Sequence, residues 1–434
     1  MSCEQEAISP EISARRILTG SAVAAAGLFA AQASGFVRQA IVGFVLGTGA
    51  EADALTTAMA PIELWWSVLA LTVIFGFVPG FAKNEYRFED VLRPVLKGAL
   101  LSAVAVFVLA KPLVMLFAPG FDDASIERAV FLTRLLSPTP VAVGCGFVYS
   151  AFLISRRKFA IATAPHALVN VTTIVGALTL GSAYGGSGFC IGYTVGAFIY
   201  WAVAHWAVRD LRQSQTAEPR TIRAIDLFRG PAPILGQALA MELNTVVTRA
   251  YASTFGTGMT AAFDFGFKLF RVPMALMVVP ISQSLLPEIS SLHSQPGHKR
   301  AVFQAIRRAA VLIAAGTALV SLALVVLREP VVSLLFERGK FGQASTSAVA
   351  LILLSYAPSM MGRGVVDVLS RTMFGLSRFR VPLAASLSAL ALNALVCQFA
   401  GAVGPGWIGV GAIIGFTFGA AWLMLDVGRA ERSA

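Results

Sequence analysis

Twelve long apolar runs follow one another from Ile17 to Leu425, and they leave the chain little choice of fold. They are 17–46, 54–81, 95–117, 129–153, 159–180 and 186–208, then, after a polar linker, 230–255, 260–286, 305–327, 346–374, 381–401 and 406–425. A run of roughly 20 such residues crosses a hydrocarbon core as a helix. Backbone in that core must satisfy its own hydrogen bonds, which a helix does within one segment. The runs predict an all-α polytopic membrane protein of about twelve transmembrane helices. Composition supports the class: 13% of residues are charged, against roughly 25% in soluble domains.

The net charge of +11 has its own explanation. Basic residues gather on alternate connections: Arg15 and Arg16, Lys83 to Lys97, Arg156 to Lys158, Arg209 to Arg229, Lys299 to Arg308, Arg378 and Arg380, Arg429 and Arg432. The opposite connections hold Arg128, Arg328, Arg338 and Lys340, with Lys111 and Arg134 nearby, and are otherwise acidic or Gly/Ser-rich. This is the positive-inside pattern, and it places both termini in the cytoplasm. A nucleic-acid partner would require the cations on one soluble face, so none is implied.

Chemistry-bearing motifs are sparse. Cys3, Cys145, Cys190 and Cys397 lie far apart, and the four histidines show no metal-ligand spacing. No nucleophile elbow or paired-carboxylate loop is present, so no catalytic residue, metal or cofactor is assigned and the chain reads as a transporter rather than an enzyme. The first 16 residues are polar and the apolar run behind them is too long for a signal-peptide core.

The most polar stretch falls near the midpoint and divides the chain into a tail (1–16), a six-helix lobe (17–208), a linker (209–229), a second six-helix lobe (230–426) and a tail (427–434). Internal similarity supports the division. Pro140, Gly144 and Gly146 form P-x-x-x-G-x-G, repeated as Pro358, Gly362 and Gly364 at an offset of 218. Both copies lead to a basic residue before phenylalanine, Lys158-Phe159 and Arg378-Phe379. The first and seventh runs each carry an arginine and then G-T-G: Arg38 with Gly47-Thr48-Gly49, Arg249 with Gly256-Thr257-Gly258. An even number of helices per half makes these parallel repeats around a central cavity.

Charges at bilayer depth cost about 2.5–3.5 kcal/mol or more and need a partner, water or a function. Arg38 has no acid one turn away on its own helix, which favours a hydrated cavity. Asp53 opens the second run, Glu63 lies within it, and Arg249 lies in the seventh. Asp264, Lys268 and Arg271 share the eighth, where Asp264 and Lys268 at i, i+4 are equally suited to a private ion pair. Arg363, Asp367 and Arg371 form a ladder in the tenth, either a locking ion cluster or part of a gate. Arginines in the first helix of both halves suggest an anionic ligand between them, because the guanidinium fork matches phosphate oxygens. A diphosphate headgroup fits such a cavity.

Several segments are similar to one family. Gly35-Phe36-Val37-Arg38-Gln39-Ala40-Ile41-Val42, then Gly47-Thr48-Gly49, Ala52-Asp53-Ala54 and Phe77-Val78-Pro79, resemble the N-terminal signature of MurJ/MviN-family lipid II flippases. Lys268-Leu269, Pro273, Leu285-Leu286-Pro287 and Leu335-Phe336-Glu337-Arg338-Gly339-Lys340-Phe341 resemble later segments, and the likeness runs from about 17 to about 400. It implies the multidrug/oligosaccharidyl-lipid/polysaccharide exporter fold, a multi-pass protein of the bacterial inner membrane, and alternating access driven by membrane potential or a Na+/H+ gradient. The implied cargo is a polyprenyl-diphosphate-linked glycan, lipid II or a related oligosaccharide, moved from the cytoplasmic to the periplasmic leaflet among membrane lipids. No oligomeric state follows.

By the same resemblance Arg38 matches a first-helix cavity arginine, Asp53 the aspartate opening the second helix, and Lys268 an eighth-helix arginine. Arg38, Lys268 and Arg249 are then expected to hold the diphosphate, with Asp53 orienting an arginine or gating the periplasmic side; Glu63, Asp264, Arg271, Arg363 and Asp367 are gating or ion-pair candidates. Gln32, Gln39 and Trp65 depart from charged residues usual in the family, which also commonly has two further C-terminal helices. The alternative within the superfamily is a multidrug exporter, for which Glu63, Glu242 and Asp264 would matter most.

Overall fold

The computed structural model describes residues 33–163, 165–211, 232–293, 299–376, 378–400 and 403–432. Residues 1–32, including the start of the first expected span, and 212–231, most of the expected linker, lie outside them. The described residues are helical throughout their regular structure, with no strand among them.

In chain order, α1 (Ala33–Leu46) leads through Gly47–Gly49 into α2 (Ala50–Thr72), a π-helical turn at Val73–Phe77 and α3 (Val78–Ala82). Next come α4 (Phe88–Val108), α5 (Ala110–Phe117), α6 (Asp123–Leu136), α7 (Thr139–Ser155), α8 (Phe159–Thr163), α9 (Pro165–Tyr184) and α10 (Gly186–Val208). Beyond residue 231 follow α11 (Ala232–Ala252), α12 (Met259–His293), α13 (Lys299–Val326) and α14 (Arg328–Phe336). The last four are α15 (Gln343–Tyr356), α16 (Ser359–Gly375), α17 (Arg380–Ala400) and α18 (Val410–Arg432).

Among the described residues nine helices are long and apolar enough to cross a membrane, or ten if the bent pair α15–α16 is one span. Twelve were expected. Of the remaining two, only 33–46 of the first is described, as a shorter apolar helix. The other, α11, has the length to cross at 21 residues, but Gln237, Glu242, Asn244 and Arg249 dilute its apolar character. α18 runs to Arg432, through residues expected to form a tail. Large apolar side chains such as Leu101 (72% exposed) and Leu319 (69%) point away from the protein, as hydrocarbon-facing residues do.

Proline sets the breaks, because it supplies no N–H and its ring clashes with the preceding turn. Pro112 and Pro330 follow the interruptions at Leu109 and Leu327, and Pro138 and Pro358 start α7 and α16 after the breaks at Ser137 and Ala357. The α15–α16 bend is 56°. These breaks also correct the repeat register. α6 and α15 both have 14 residues, α7 and α16 both have 17, and each pair is offset by 220. Pro138 therefore corresponds to Pro358 and Gly144 to Gly364. The 218-residue alignment of Pro140 with Pro358 was two positions out, since small-residue patterns recur within a helix while a proline break does not.

Helices within 33–211 pack mainly on one another, as do those within 232–432, and α2 joins the two groups through α11 and α12. The most extensive pairings are α9 with α10 and α17 with α18. Gly192 shows why the first is close: a Cβ there would run into the backbone of Thr172 and Thr173.

Candidate functional site

The end carrying the α1–α2, α5–α6 and α14–α15 turns, called outer below, holds one set of contacts between the two helix groups. α2 begins there with Asp53 in its first turn, fully buried. Its carboxylate accepts from the backbone N–H of Gly258 and, at 2.7 Å, of Ala261, and so caps the first turn of α12 across a separation of more than 200 residues. Helix N-termini favour a carboxylate for this reason. Gly258 has φ +93°, and a Cβ on it would strike the carbonyl of Thr48, so the cap requires glycine. Beside it Thr48 donates to Ser345 Oγ (2.8 Å), the Lys340 N–H to Phe44 O (2.9 Å) and the Gly120 N–H to Ser253 Oγ (3.0 Å). Asp53 therefore sits in a seam that closes the outer end; it touches none of the candidate cations.

Further from that end, α1, α2, α11 and α12 bring five charged side chains together. The two oxygens of Glu63 on α2 accept from Lys268 Nζ at 3.2 Å and an Arg249 terminal nitrogen at 3.3 Å. The same Arg249 nitrogen donates to Asp264 Oδ1 at 3.1 Å, and Gln39 Nε2 donates to Asp264 Oδ2 at 3.1 Å. Lys268 stands 3.8 Å from Asp264, so its main partner is Glu63 on the other helix group rather than the carboxylate four residues away. Arg249 is 4% exposed and Glu63 34%. Arg38 makes no ion pair among the described residues; its guanidinium lies 5.8 Å from the centre of the Tyr193 ring. Arg38, Glu63, Asp264 and Lys268 line a cavity of about 20 Å³ together with Gln39, Met59 and Thr173, room for about one water molecule.

The expected substrate cations are therefore not equally available. Lys268 and Arg249 are held by Glu63 and Asp264; the Lys268–Asp264 contact at 3.8 Å was visible in the i, i+4 spacing, whereas the pairs with Glu63, 186 and 205 residues apart, were not. The cluster nevertheless holds three cations and two carboxylates, and Nε of Arg249 is buried without a partner. Glu242, on the same helix as Arg249, adds a further acidic charge within its reach; among the described residues Arg38 makes no ion pair and the Nε donor of Arg249 has no acceptor.

Of the other candidates, Asp367 pairs with Arg371 at 3.7 Å, but Arg363 does not join them. Arg363 donates to Thr245 Oγ1 (3.2 Å) and stands 5.4–5.8 Å from the rings of Phe416, Phe267 and Phe270, which replace the expected three-residue ion cluster by cation–π contacts. Arg271 is exposed and lies 5.9 Å from the Phe267 ring. Gln39 and Tyr193 enter the site without having been candidates, since neither carries a formal charge.

Comparison with known proteins bears on the family and the fold. The family model described as "Lipid II flippase MurJ" matches residues 44–432. A probable lipid II flippase MurJ of Rhizobium tropici is 26% identical over 383 residues, covering 83% of this chain and 71% of its own. The one from Thermotoga maritima is 25% identical over 408 residues, covering 92% and 80%. A solved structure of lipid II flippase MurJ in an inward closed conformation superposes with a TM-score of 0.80 at 19% identity, covering 93% of this chain and 87% of that one. An inward-facing multidrug resistance transporter of the MATE family gives 0.74 at 14% identity, covering 93% and 96%. The last two likenesses concern the fold; the family match spans most of the sequence, and the chain belongs to the lipid II flippase MurJ family.

Proposed function

We propose that the chain flips a polyprenyl-diphosphate-linked sugar precursor, lipid II or a related lipid-linked oligosaccharide, from the cytoplasmic to the periplasmic leaflet of a bacterial inner membrane. The lobes are 17–208 and 230–426, both termini are cytoplasmic, and the outer seam is the periplasmic gate. One observation carries the reading: between the helix groups, Arg38 makes no ion pair among the described residues and faces Tyr193, and the buried Nε of Arg249 has no hydrogen-bond partner there. A diphosphate offers the missing acceptors, and the resulting charge-assisted bonds offset the desolvation of both groups.

The cluster also links binding to movement. Glu63 belongs to the first helix group and Arg249, Asp264 and Lys268 to the second. A diphosphate that takes Glu63's place beside Lys268 and Arg249 removes an ionic tie between the lobes. Separation at the outer seam then requires breaking the Asp53 cap and its neighbouring hydrogen bonds. The cycle is driven by the membrane potential or a Na+/H+ gradient; one elementary charge moved through 100 mV changes the balance by about 2.3 kcal/mol. Two of the three carboxylates on which the multidrug-exporter alternative rests, Glu63 and Asp264, are already engaged in ion pairs, which leaves Glu242 alone to serve it.

Arg38→Ala tests the reading. Reconstituted into liposomes with a fluorescent lipid-linked glycan, it should lose flipping while retaining membrane insertion and its thermal transition. Wild-type flipping by that variant would remove Arg38 from the site and the reading with it.

A further inference from the structure

We infer that the aromatic group around Trp66 and His166 is a sugar subsite that seats the first pyranose of the cargo. The inference rests on the flippase reading above and specifies how that site treats the glycan.

Three helix faces lead from the charged cavity to this group, each running away from the outer end. On α2, Trp66 follows Glu63 by three residues, one turn or about 4.5 Å along the axis. On α9, the stripe Thr173, Asn170, His166 descends from a cavity-lining residue by steps of three and four. On α10, Tyr193 beneath Arg38 is followed seven residues later by Tyr200. The stripes converge. The Trp66 ring lies 5.1 Å from Phe147, 5.5 Å from His166 and 6.4 Å from Tyr200, and His166 lies 4.6 Å from Tyr200.

Two features separate this group from ordinary core packing. Trp66 and His166 stay partly exposed while Tyr200 behind them is fully buried. In addition, His166 Nδ1 lies 3.1 Å from the carbonyl of Thr163. A carbonyl can only accept, so Nδ1 carries the proton and Nε2 of the neutral ring is left as an acceptor. An aromatic face beside a directed acceptor matches a pyranose, which presents C–H bonds on its face and hydroxyl donors at its rim. The first sugar is bonded directly to the diphosphate, and Trp66 stands one turn beyond Glu63, which lines the same cavity as Arg38, so a diphosphate held there leaves the sugar to reach toward Trp66.

The test measures binding of two probes to the full chain in lipid nanodiscs: undecaprenyl diphosphate, and the same lipid carrying a disaccharide. The wild type should bind both through Arg38 and prefer the glycosylated probe. Trp66→Leu should weaken the glycosylated probe about tenfold, the scale of one aromatic contact, and leave the bare diphosphate within about twofold. His166→Gln, which keeps a polar side chain of similar reach, should weaken the glycosylated probe alone and serves if Trp66→Leu does not fold. Equal losses for both probes, or no selective loss in either variant, would overturn the sugar subsite while leaving the flippase reading intact. Failure of the bare diphosphate to bind the wild type in an Arg38-dependent way would overturn both.

Discussion

Glu63→Gln separates two roles that one carboxylate performs. Glu63 is a counterion to Lys268 at 3.2 Å and to Arg249 at 3.3 Å, so it ties the helix groups together and masks two of the three cations. At an effective dielectric near 20, each such pair carries a gross attraction of about 5 kcal/mol. Most of that is returned as desolvation. Breaking a fully buried pair costs about 3–5 kcal/mol, and an exposed one about 0–1. Glu63 is one-third exposed, and Asp264 remains at 3.1 Å from Arg249, so a loss of about 2 kcal/mol is expected. Binding should change in the opposite sense. With its competitor neutral, undecaprenyl diphosphate should bind Glu63→Gln about tenfold more tightly, a gain of about 1.4 kcal/mol. The assays are a thermal melt in nanodiscs and probe titration on the same sample. Lower stability with unchanged or weaker binding would refute the masking role and leave Glu63 as a structural tie only.

Other outcomes follow from the same geometry. Thr48→Cys combined with Ser345→Cys, whose hydroxyls are 2.8 Å apart, should form a disulfide in the outer-closed state and stop flipping until a reductant is added; free flipping of the cross-linked protein would show that the seam need not open. Gly258→Ala should disrupt the Asp53 cap and weaken the seam by about 1 kcal/mol or more, read as faster labelling of a cysteine placed at Ser253 by an impermeant thiol reagent; unchanged labelling would mean that the cap contributes nothing to closure. Arg363→Met should lower thermal stability by about 1–2 kcal/mol through loss of its contacts with Phe267, Phe270 and Phe416, with diphosphate affinity unchanged; a large affinity loss would move Arg363 into the binding site.

The class of fold was legible because bilayer depth imposes a length on every crossing helix, and 186–208 matched an observed helix to the residue. The breaks were less so. Pro138 and Pro358 are plain in the sequence, yet the glycine pattern two residues away gave the wrong repeat register, because close packing selects glycine at many neighbouring positions. At the site, Arg38, Glu63, Arg249, Asp264 and Lys268 were all recognisable as charges out of place in hydrocarbon. The Asp264–Lys268 contact was readable from their i, i+4 spacing, but the pairs across the helix groups were hidden. Glu63 meets Arg249 and Lys268 only after α2 packs on α11 and α12, and nothing in local spacing encodes that crossing. Asp53 was marked as a gate candidate, but its ligands are backbone N–H groups, which carry no residue-type signal. Tyr193, Trp66 and His166 were invisible for a related reason: an aromatic residue in a membrane span reads as ordinary packing until its neighbours are known.

The most direct test of an uncommitted cationic site between the helix groups is a structure of the protein with undecaprenyl diphosphate bound. The account expects phosphate oxygens within about 3 Å of Arg38 and of Nε of Arg249, with Glu63 withdrawn from Lys268. Diphosphate bound elsewhere, with Glu63 still bridging Lys268 and Arg249 and Arg38 still stacked on Tyr193, would contradict it.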